Sequence, residues 1–444
     1  MSAQRRMSPA DAAWIGLDRP EHLMVVTAVL RLATRIEQAD LERLVTQRLL
    51  PAYPGFRQRP EPSRVPLVRP TWVDDESFDL AAHVRSADID LTVAGGDVEQ
   101  ALMAYVGGLM GTPLDLRHSP WTLTLVQVGG RSAVVARLHH CLADGIALAG
   151  VLLSLVDGHP GAAAAPPGTG AGMSSRSAHS AGGSARSAVS SLATVLGAAV
   201  RTVSEIVVGR KDRQSRLRGA ASVGRRAAWT SPLDLALSKA AAKRLGVSVN
   251  DVLLAAVAGG LRRWLLDHDE PADDCRVMVP VDLRRGEPVG ADLGNRFGIV
   301  FVTLPVALPG AEERVAAVHV ATTEAKGSSV AAASYGLLSL VGLMPRWGQG
   351  LAANLLGRIA TGIVTNVPGP RTELSVEGAP LTSVAFWVPH IGPIGIGFSV
   401  FSYSGTVTVG VATNESLHID PRELVDAVET ELAELNTLRD LVAD

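Results

Sequence analysis

The sequence predicts an α/β fold with mixed sheets and flanking helices, divided into two halves. Its 444 residues are enough for two or more domains with full hydrophobic cores. Strand-like and helix-like segments alternate on both sides of one stretch rich in Gly, Ala, Pro and Ser, residues 158–191. Such a stretch buries too little apolar surface to offset its ordering entropy, so we interpret it as a linker or crossover. The predicted domains are an N-terminal half (1–157), the linker (158–191) and a C-terminal half (192–444).

Apolar, β-branched runs predict strands in the N-terminal half, and i, i+3, i+4 spacing predicts helices. The strands are expected at 24–32 and 131–139, and the helices at 40–50 and 146–156. In the C-terminal half the same patterns predict a helix at 249–266, strands near 276–281 and 297–305, and a hairpin of 396–403 and 406–412 that turns at Ser404-Gly405. The last helix is expected to begin with Asp420 as N-cap, Pro421 at the first helical position and Glu423 where a capping box places it.

Composition narrows the possible partners and compartments. The net charge of −3 gives no reason to expect nucleic acid, and two cysteines, Cys141 and Cys275, cannot form a disulfide framework, so a reducing cytoplasm is expected. Mean hydropathy is +0.22, yet no stretch has the roughly 18 uninterrupted apolar residues of a membrane span, and the N-terminus lacks the apolar core of a secretory signal. A greasy ligand and an ordinary core rich in Ala, Val and Leu explain the apolar excess equally well.

The most informative segment is LHHCLADG, residues 138–145, where an apolar strand ends and a helix is about to begin. His139 and His140 point to opposite faces, so only one of them can face a given cavity. A neutral imidazole suits general-base chemistry because its ordinary pKa is near 6.5. Two neighbours that point apart are poor metal co-ligands, so no metal is expected; Cys141 is interpreted as a small buried residue, and a hydrogen-bonded core histidine remains the alternative.

The segment 139–145 fits the HHxxxDG motif of an acyltransferase superfamily that includes chloramphenicol acetyltransferase, peptide-synthetase condensation domains and bacterial wax ester synthase/diacylglycerol acyltransferases. Further segments favour the last family: MSPADAAW at 7–14, FRQR at 56–59, WVDDESFDLAAHV at 72–84, PLD at 113–115, VND at 249–251, GNRFG at 294–298 and NVPGP at 366–370. The chain thus resembles this family over nearly its whole length. Family members often begin near MSP, which makes Met7 an alternative start to Met1.

The resemblance implies two chloramphenicol acetyltransferase-like halves with an active-site tunnel between them. It implies an acyl-CoA-dependent O-acyltransferase that esterifies diacylglycerol to triacylglycerol, with wax ester formation from fatty alcohols as a second activity. Long-chain acyl-CoA is then a co-substrate, and no bound cofactor or metal is expected. Two alternatives stay open, namely a condensation-type acyltransferase that takes its acyl group from a carrier protein, and a non-catalytic lipid-binding protein.

By the same resemblance His140 is the base, and Asn250, in the ND motif, is a candidate oxyanion donor. Asp144 is expected to pair with Arg284, His139 to support the turn, and Gly145 to let the helix begin tightly beside the histidine. The motifs also imply substrate-region residues: Pro113, Trp121, Asp251, Asn295, Asn366 and Pro368. Where the family commonly has PLW followed by Glu, this chain has Ser119-Pro120-Trp121-Thr122 and keeps only the tryptophan. The NVPGP segment is expected near the tunnel, although Pro-Gly-Pro is also an ordinary rigid turn.

One local feature bears on membranes. A basic segment, 210–226, follows an apolar run at 192–208, and such a pair can lie on an anionic bilayer. A solvated charged loop explains the basic segment equally well. Because diacylglycerol and long-chain alcohols reside in membranes, a cytoplasmic protein bound peripherally to a membrane or lipid droplet is expected.

Overall fold

The structure, a computed structural model, describes residues 5–63, 65, 68–89, 95–158, 215–284, 287, 290–291, 293–327 and 330–437. The predicted linker at 158–191, apart from Gly158, lies outside the described residues, as do the apolar run at 192–208 and residues 210–214 of the basic segment. The division of the chain at this linker therefore stays a prediction.

The described strands are β1 (Arg5–Arg6), β2 (Val25–Leu32), β3 (Gln58–Glu61), β4 (Thr71–Asp74), β5 (Val84–Asp88), β6 (Trp121–Val128), β7 (Arg131–His139), β8 (Arg225–Trp229), β9 (Leu233–Asp234), β10 (Cys275–Asp282), β11 (Phe297–Leu304), β12 (Gly362–Pro368), β13 (Ser375–Val376), β14 (Ala379–Trp387), β15 (Ile396–Tyr403) and β16 (Thr406–Asn414). The described α-helices are α1 (Pro9–Leu17), α2 (Gln38–Leu44), α3 (Leu50–Ala52), α4 (Leu80–His83), α5 (Val98–Met110), α6 (Gly145–Leu153), α7 (Leu235–Leu245), α8 (Val249–Asp267), α9 (Ala311–Gly327), α10 (Val330–Val341), α11 (Arg346–Gly357) and α12 (Pro421–Thr437). A π-helical turn, Val45–Leu49, joins α2 to α3, and 3₁₀ turns span Pro54–Arg57 and Glu415–Leu417.

Two large mixed sheets organise the described part, which confirms the predicted fold class. One has the strand order β13-β14-β2-β7-β6-β5, with β5 parallel to β6 and the other pairs antiparallel. The other has the order β11-β10-β12-β15-β16-β8, with β9 also paired to β16; in it β12 runs parallel to both β10 and β15. A small third sheet has the order β1-β4-β3.

Two strands of the C-terminal half, β13 and β14, belong to the N-terminal sheet. β14 pairs antiparallel with β2, so that Ala385 lies opposite Val29 and Trp387 opposite Thr27. The side chains of β14 alternate between buried and exposed at its start and are continuously buried from Ser383 onward, as expected where a strand enters a core. The two halves are therefore joined by shared hydrogen bonds as well as by side-chain packing.

The predicted elements are confirmed with shifts of a few residues. The hairpin turns where both Ser404 (φ 42°) and Gly405 (φ 79°) have positive φ, the geometry of a two-residue type I′ turn. At the last helix Asp420 accepts a hydrogen bond from the Arg422 amide, but the Glu423 carboxylate accepts one from the Trp264 indole at 2.8 Å. Glu423 thus joins α12 to α8.

The described end of the basic segment is structured. Arg218 Nη2 donates to the carbonyl oxygen of Arg358 at 3.0 Å, and Arg225, in β8, donates to that of Glu21 at 2.8 Å. Burial lowers the pKa of Arg225 to about 10. In this part of the segment Arg218 and Arg225 are therefore bonded to the rest of the protein.

Among the helices that the structure describes, none is by itself both long and apolar enough to cross a membrane; one pair, Leu235–Leu245 with Val249–Asp267, would pass on length and composition only across a 101° bend.

Candidate active site

A cavity lies between the two large sheets. Its walls come from helix α1, the turn from β7 into α6, strands β10, β11 and β12, and the loop after β14. The cavity places His140 from the N-terminal half opposite residues of the C-terminal half, such as Asn366. This cavity lies at the position where the tunnel between the halves was expected.

His140 follows the last residue of β7, and its backbone amide donates to the Met24 carbonyl oxygen at 2.7 Å. Its ring stacks on Trp14, with centroids 4.0 Å apart and planes 17° apart, and Phe297 lies 5.6 Å from it. The Nδ1 atom lies 2.9 Å from Oδ1 of Asn295. A backbone anchor, a stacked ring and a hydrogen bond together fix the imidazole in one orientation.

The contacts of Asn295 determine which ring nitrogen of His140 carries the proton. Asn295 Nδ2 donates to Oδ1 of Asp11 and to the His140 carbonyl oxygen, both at 2.8 Å. Because both partners are acceptors, the opposite atom of the amide, Oδ1, is the acceptor that faces Nδ1 of His140. Nδ1 therefore carries the proton, and Nε2 is the unprotonated nitrogen.

Burial shifts the pKa of both His140 and Asp11, which lie at the two ends of the hydrogen-bonded series His140–Asn295–Asp11. It lowers the pKa of His140 to about 4, although Asp144 and the bond to Asn295 act in the opposite direction. Burial also raises the pKa of the Asp11 carboxyl above its usual range, against the effect of the bonds from Asn295. His140 is consequently neutral at physiological pH, the form that can accept a proton.

The predicted ion pair of Asp144 and Arg284 is present and confirmed. It is bidentate, with Nη1–Oδ1 at 3.1 Å and Nη2–Oδ2 at 2.6 Å, and both side chains are buried. Asp144 is also the N-cap of α6, where it accepts from the Ala147 amide, and it accepts from the Arg296 amide at 2.9 Å. The Asp144 carboxylate therefore connects the motif turn to Arg284, which follows β10, and to Arg296, which precedes β11.

His139 lies on the side of the turn away from the cavity. Its Nδ1 accepts from the Cys141 amide at 3.1 Å, and its Nε2 lies 3.8 Å from Oδ1 of Asp18. This arrangement matches the expected support of the turn. Cys141 is fully buried, and burial raises the pKa of its thiol well above the ordinary value, as expected of a structural cysteine.

The expected reason for Gly145 is wrong. A Cβ at this position would meet no atom within 4 Å, and the residue has no positive φ, so the backbone does not require glycine to begin α6. Gly145 instead lines the cavity beside His140. A side chain there would occupy cavity space, and this is the physical reason to keep the residue small.

The two residues of the ND motif lie behind the cavity wall. Oδ1 of Asn250 accepts from Nδ2 of Asn366 at 3.0 Å, and Asn366 lines the cavity. Nδ2 of Asn250 is buried and has no hydrogen-bond partner in the described part of the chain. The Asp251 carboxylate, predicted at the substrate, is fully buried away from the cavity, where it bonds to His319 and Thr322 of α9.

Three other predicted substrate residues are not brought to the cavity. Trp121 is a core side chain whose Nε1 donates to the Phe56 carbonyl oxygen at 2.9 Å and whose ring stacks on His83. Pro113 and Pro368 are exposed, in the loop after α5 and at the end of β12 respectively. The neighbour of Pro368, Val367, does line the cavity.

A second cavity adjoins the first. Every residue that lines it is apolar, and its walls come from β2, β7, α6, β12, β14 and β15. Gly145 and Val367 line both cavities. The second cavity offers apolar surface to the hydrocarbon chain of a ligand whose polar end lies beside His140.

The sequence patterns did not indicate the individual roles of three residues of the site: Asp11, Trp14 and Phe297. All three fall within segments that carry the resemblance, MSPADAAW and GNRFG, which were used only as markers of the family. An Asp inside the short apolar segment 9–17, three residues before Trp14 and so on the same side of a helix, was the available signal for Asp11. Within the described ranges no three His, Cys, Asp or Glu side chains come together in a way that could hold a metal ion.

Comparison with known proteins identifies the family of the chain. Residues 7–253 match the family model of the wax ester synthase/diacylglycerol acyltransferase catalytic domain, and residues 293–436 match the WS/DGAT C-terminal domain. A putative diacylglycerol O-acyltransferase of Mycobacterium tuberculosis is 28% identical over 98% of this chain and 90% of its own length. Another from the same organism is 31% identical over 72% of each chain.

Solved structures show the same fold. The wax ester synthase/diacylglycerol acyltransferase of Marinobacter aquaeolei VT8 has a TM-score of 0.68 at 21% identity and covers 97% of this chain and 98% of its own. The first condensation domain of the calcium-dependent antibiotic synthetase has a TM-score of 0.61 at 18% identity, covering 100% and 98%. From the family models and the full-length relatives we conclude that the chain is an acyltransferase and belongs to the wax ester synthase/diacylglycerol acyltransferase family.

Proposed function

We propose that the chain transfers a fatty acyl group from long-chain acyl-CoA to the hydroxyl of diacylglycerol, which yields triacylglycerol, and that it also converts fatty alcohols to wax esters. The observation that carries the proposal is a neutral, oriented imidazole in one cavity beside a second, entirely apolar cavity that shares Gly145 and Val367. Joining two lipids requires apolar space for both substrates at one base. Relatives over nearly the full length are named diacylglycerol O-acyltransferases.

In the proposed mechanism Nε2 of His140 accepts the proton of the acceptor hydroxyl while the hydroxyl oxygen attacks the thioester carbonyl carbon. The tetrahedral intermediate collapses as its C–S bond breaks, and the imidazolium returns the proton to the departing thiolate of CoA. The buried imidazolium forms only transiently, and its Nδ1–H donates to Asn295, whose amide is held by Asp11. Asp11 and Asn295 are therefore positioning residues for the base, and acyl-CoA is a co-substrate with no bound cofactor.

We also propose direct transfer without an acyl-enzyme. Among the described residues that line the cavity beside His140 there is no Ser or Cys. Cys141 is fully buried and its thiol pKa is raised, which disfavours the nucleophilic thiolate. The hydroxyl of the acceptor is then the nucleophile in a single transfer step.

Asn250 remains the proposed source of oxyanion stabilisation. Its buried Nδ2 is a donor without a described partner, and its Oδ1 accepts from Asn366, a residue of the cavity wall. Asn250 does not itself line the cavity, so the oxyanion must reach its Nδ2 past Asn366; a buried donor that no protein acceptor satisfies costs free energy until such an oxygen uses it. Asn250→Asp, which retains the size but replaces the donor with an oxygen, is expected to lower kcat by about 100-fold.

The proposal is tested by offering radiolabelled palmitoyl-CoA with dipalmitoylglycerol or with hexadecanol. We expect labelled triacylglycerol and labelled wax ester, and no labelled protein when the acceptor is omitted. Failure of the wild type to form either ester would overturn the proposed substrates. Ester formation only from palmitate bound to a phosphopantetheinyl carrier protein would instead identify the condensation-type alternative.

A further inference from the structure

Large apolar side chains are exposed together on one helical hairpin of the C-terminal half. Six of the thirteen large apolar side chains exposed in the described part lie between residues 340 and 355. We call this set the apolar ridge; it comprises Leu340, Leu343, Met344, Trp347, Leu351 and Leu355. Trp347 is 77% exposed and Leu351 65%. Clustered exposure of this kind marks an interaction surface, whereas single exposed apolar residues are ordinary.

The arrangement of α11 shows that the ridge is a distinct outward face. Trp347, Leu351 and Leu355 are spaced i, i+4, i+8 and form one line along the helix. The buried face of the same helix carries smaller residues, among them Gly348, Ala353 and Gly357. The large apolar side chains of this helix are therefore turned away from the core, the reverse of the usual arrangement.

The chain segment that carries the ridge has charges of one sign. No Asp or Glu occurs from residue 325 to 372, whereas Arg346 and Arg358 flank α11. Both arginines are exposed, and neither guanidinium group takes part in an ion pair among the residues that the structure describes. The basic segment also reaches this site, because Arg218 donates to the carbonyl oxygens of Gly357 and Arg358. A surface that is apolar at its centre and cationic at its ends is complementary to an anionic lipid headgroup layer.

The hairpin that carries the ridge packs directly on the walls of the active-site cavity. Ser334 of α10 accepts from the Ile299 amide at 2.6 Å, and Ile299 lines the cavity. At the end of α11, a Cβ on Gly357 would lie 2.7 Å from the carbonyl oxygen of Ile391, another lining residue. The ridge and the cavity are thus opposite sides of one layer of the molecule.

We infer that the apolar ridge docks the enzyme on an anionic lipid surface, with Trp347 and Leu351 inserted among the acyl chains and Arg346 and Arg358 at the headgroups. Tryptophan suits this position because its ring is amphipathic and prefers the membrane–water boundary. Docking through this hairpin places the cavity walls next to the phase that holds apolar substrates. Binding to vesicles is measured without turnover, so the inference can fail or hold independently of the proposed reaction.

Fluorescence provides a specific test, because the six other tryptophans are each at most 3% exposed. The full chain is mixed with phosphatidylcholine vesicles that contain phosphatidylglycerol, with and without brominated acyl chains. We expect brominated lipid to quench the wild type, and Trp347→Phe to bind equally but to lose that quenching. Equal quenching of the wild type and Trp347→Phe, or no quenching of either, would overturn the inference.

Sedimentation with the same vesicles separates the contribution of the apolar side chains to binding from that of the arginines. Trp347→Ser/Leu351→Ser is expected to lower the partition coefficient more than tenfold, and Arg346→Gln/Arg358→Gln to lower it only for vesicles with phosphatidylglycerol. The matched control, Leu237→Ser/Leu266→Ser, changes two leucines of about 50% exposure on α7 and α8 and should bind like the wild type. If the ridge variant bound vesicles normally but converted an oligomer to a monomer in light scattering, the occupant would be a second copy of the chain, and the lipid inference would be wrong.

Discussion

Nδ1 of His140 lies 2.9 Å from Oδ1 of Asn295, and the amide of Asn295 is itself held by the buried carboxylate of Asp11. This chain of contacts sets the tautomer of the imidazole and leaves Nε2 as the nitrogen that can accept a proton. It joins three segments that are far apart in sequence: α1, the motif turn after β7 and the loop before β11.

Loss of the Asn295 amide is the first test of this arrangement. In Asn295→Ala the ring of His140 retains its stack on Trp14 but loses the acceptor for Nδ1–H, so both tautomers become accessible. We expect kcat for triacylglycerol formation to fall about 100-fold with little change in KM. Asn354→Ala, at an exposed position on α11, is the matched control and should retain the wild-type kcat.

The depressed pKa of His140 predicts the pH dependence of activity. Because its pKa is lowered to about 4, the base of the free enzyme is already neutral at pH 5. We expect kcat/KM for a water-soluble, short-chain substrate pair to be flat between about pH 5 and 7. An acidic limb with an apparent pKa near 6.5 would contradict the burial of the ring.

The same shift predicts a contribution to stability. The folded-state pKa of about 4 lies below the unfolded value of about 6.5, so between these values the unfolded chain binds the proton more tightly. The contribution is full above pH 6.5, falls as the pH is lowered towards 4, and is on the order of 3 kcal/mol in total. The free energy of unfolding, measured by urea titration, should decrease less for His140→Gln than for the wild type when the pH is lowered from 7 to 5. Equal decreases would argue against the lowered pKa of His140.

Removal of one partner from the buried ion pair of Asp144 and Arg284 should destabilise the fold strongly. Asp144→Ala removes the bidentate partner of the buried Arg284 guanidinium, which keeps, of its described partners, only the Asp282 carboxylate at 3.1 Å and the Gly294 carbonyl oxygen, and should lower the free energy of unfolding by about 3 kcal/mol. The exposed pair of Arg296 and Glu287 is the control, and Glu287→Ala should cost at most about 1 kcal/mol. Denaturant titration measures both, and similar small losses would show that the buried pair does not hold the two halves together.

The space around Gly145 predicts a change in chain-length preference. Gly145→Ala should fold normally, since the added Cβ meets nothing within 4 Å, whereas Gly145→Val projects further into the space that the two cavities share. We expect Gly145→Val to lower kcat/KM for palmitoyl-CoA at least tenfold more than for butyryl-CoA. Gly150→Val is the control: it lies in the same helix, has the same free space and lines neither cavity. Parallel losses for both acyl lengths would mean that the acyl chain does not pass this residue.

Local patterns predicted the elements that position the site. The strand at 131–139 and the helix that follows the motif were found because apolar periodicity is a local signal. The crossing of β14 into the N-terminal sheet was not predicted, since pairing between residues 360 positions apart, such as Trp387 and Thr27, leaves no local pattern. The pairing of Asp144 with Arg284 was predicted only through the family resemblance.

The substrate-region residues show where motif spacing is insufficient. Asn295 and Asn366 reach the site, but Trp121 packs in the core and Asp251 fastens α8 to α9. A motif identifies a segment, whereas the direction of each side chain depends on strand register and on partners elsewhere in the chain. The role of Asp11 was missed for the same reason, because its partner Asn295 is 284 residues away.

The most direct test of the central claim is the rate of triacylglycerol formation from palmitoyl-CoA and dipalmitoylglycerol by His140→Ala, with circular dichroism and Tm measured on the same preparation. The matched control is His118→Ala, at an exposed position away from the cavity. If His140 is the base, the variant loses at least about 100-fold in kcat while its Tm shows that it is folded, and the control retains the wild-type rate. A folded His140→Ala enzyme that forms triacylglycerol within a few-fold of the wild-type rate would contradict the assignment.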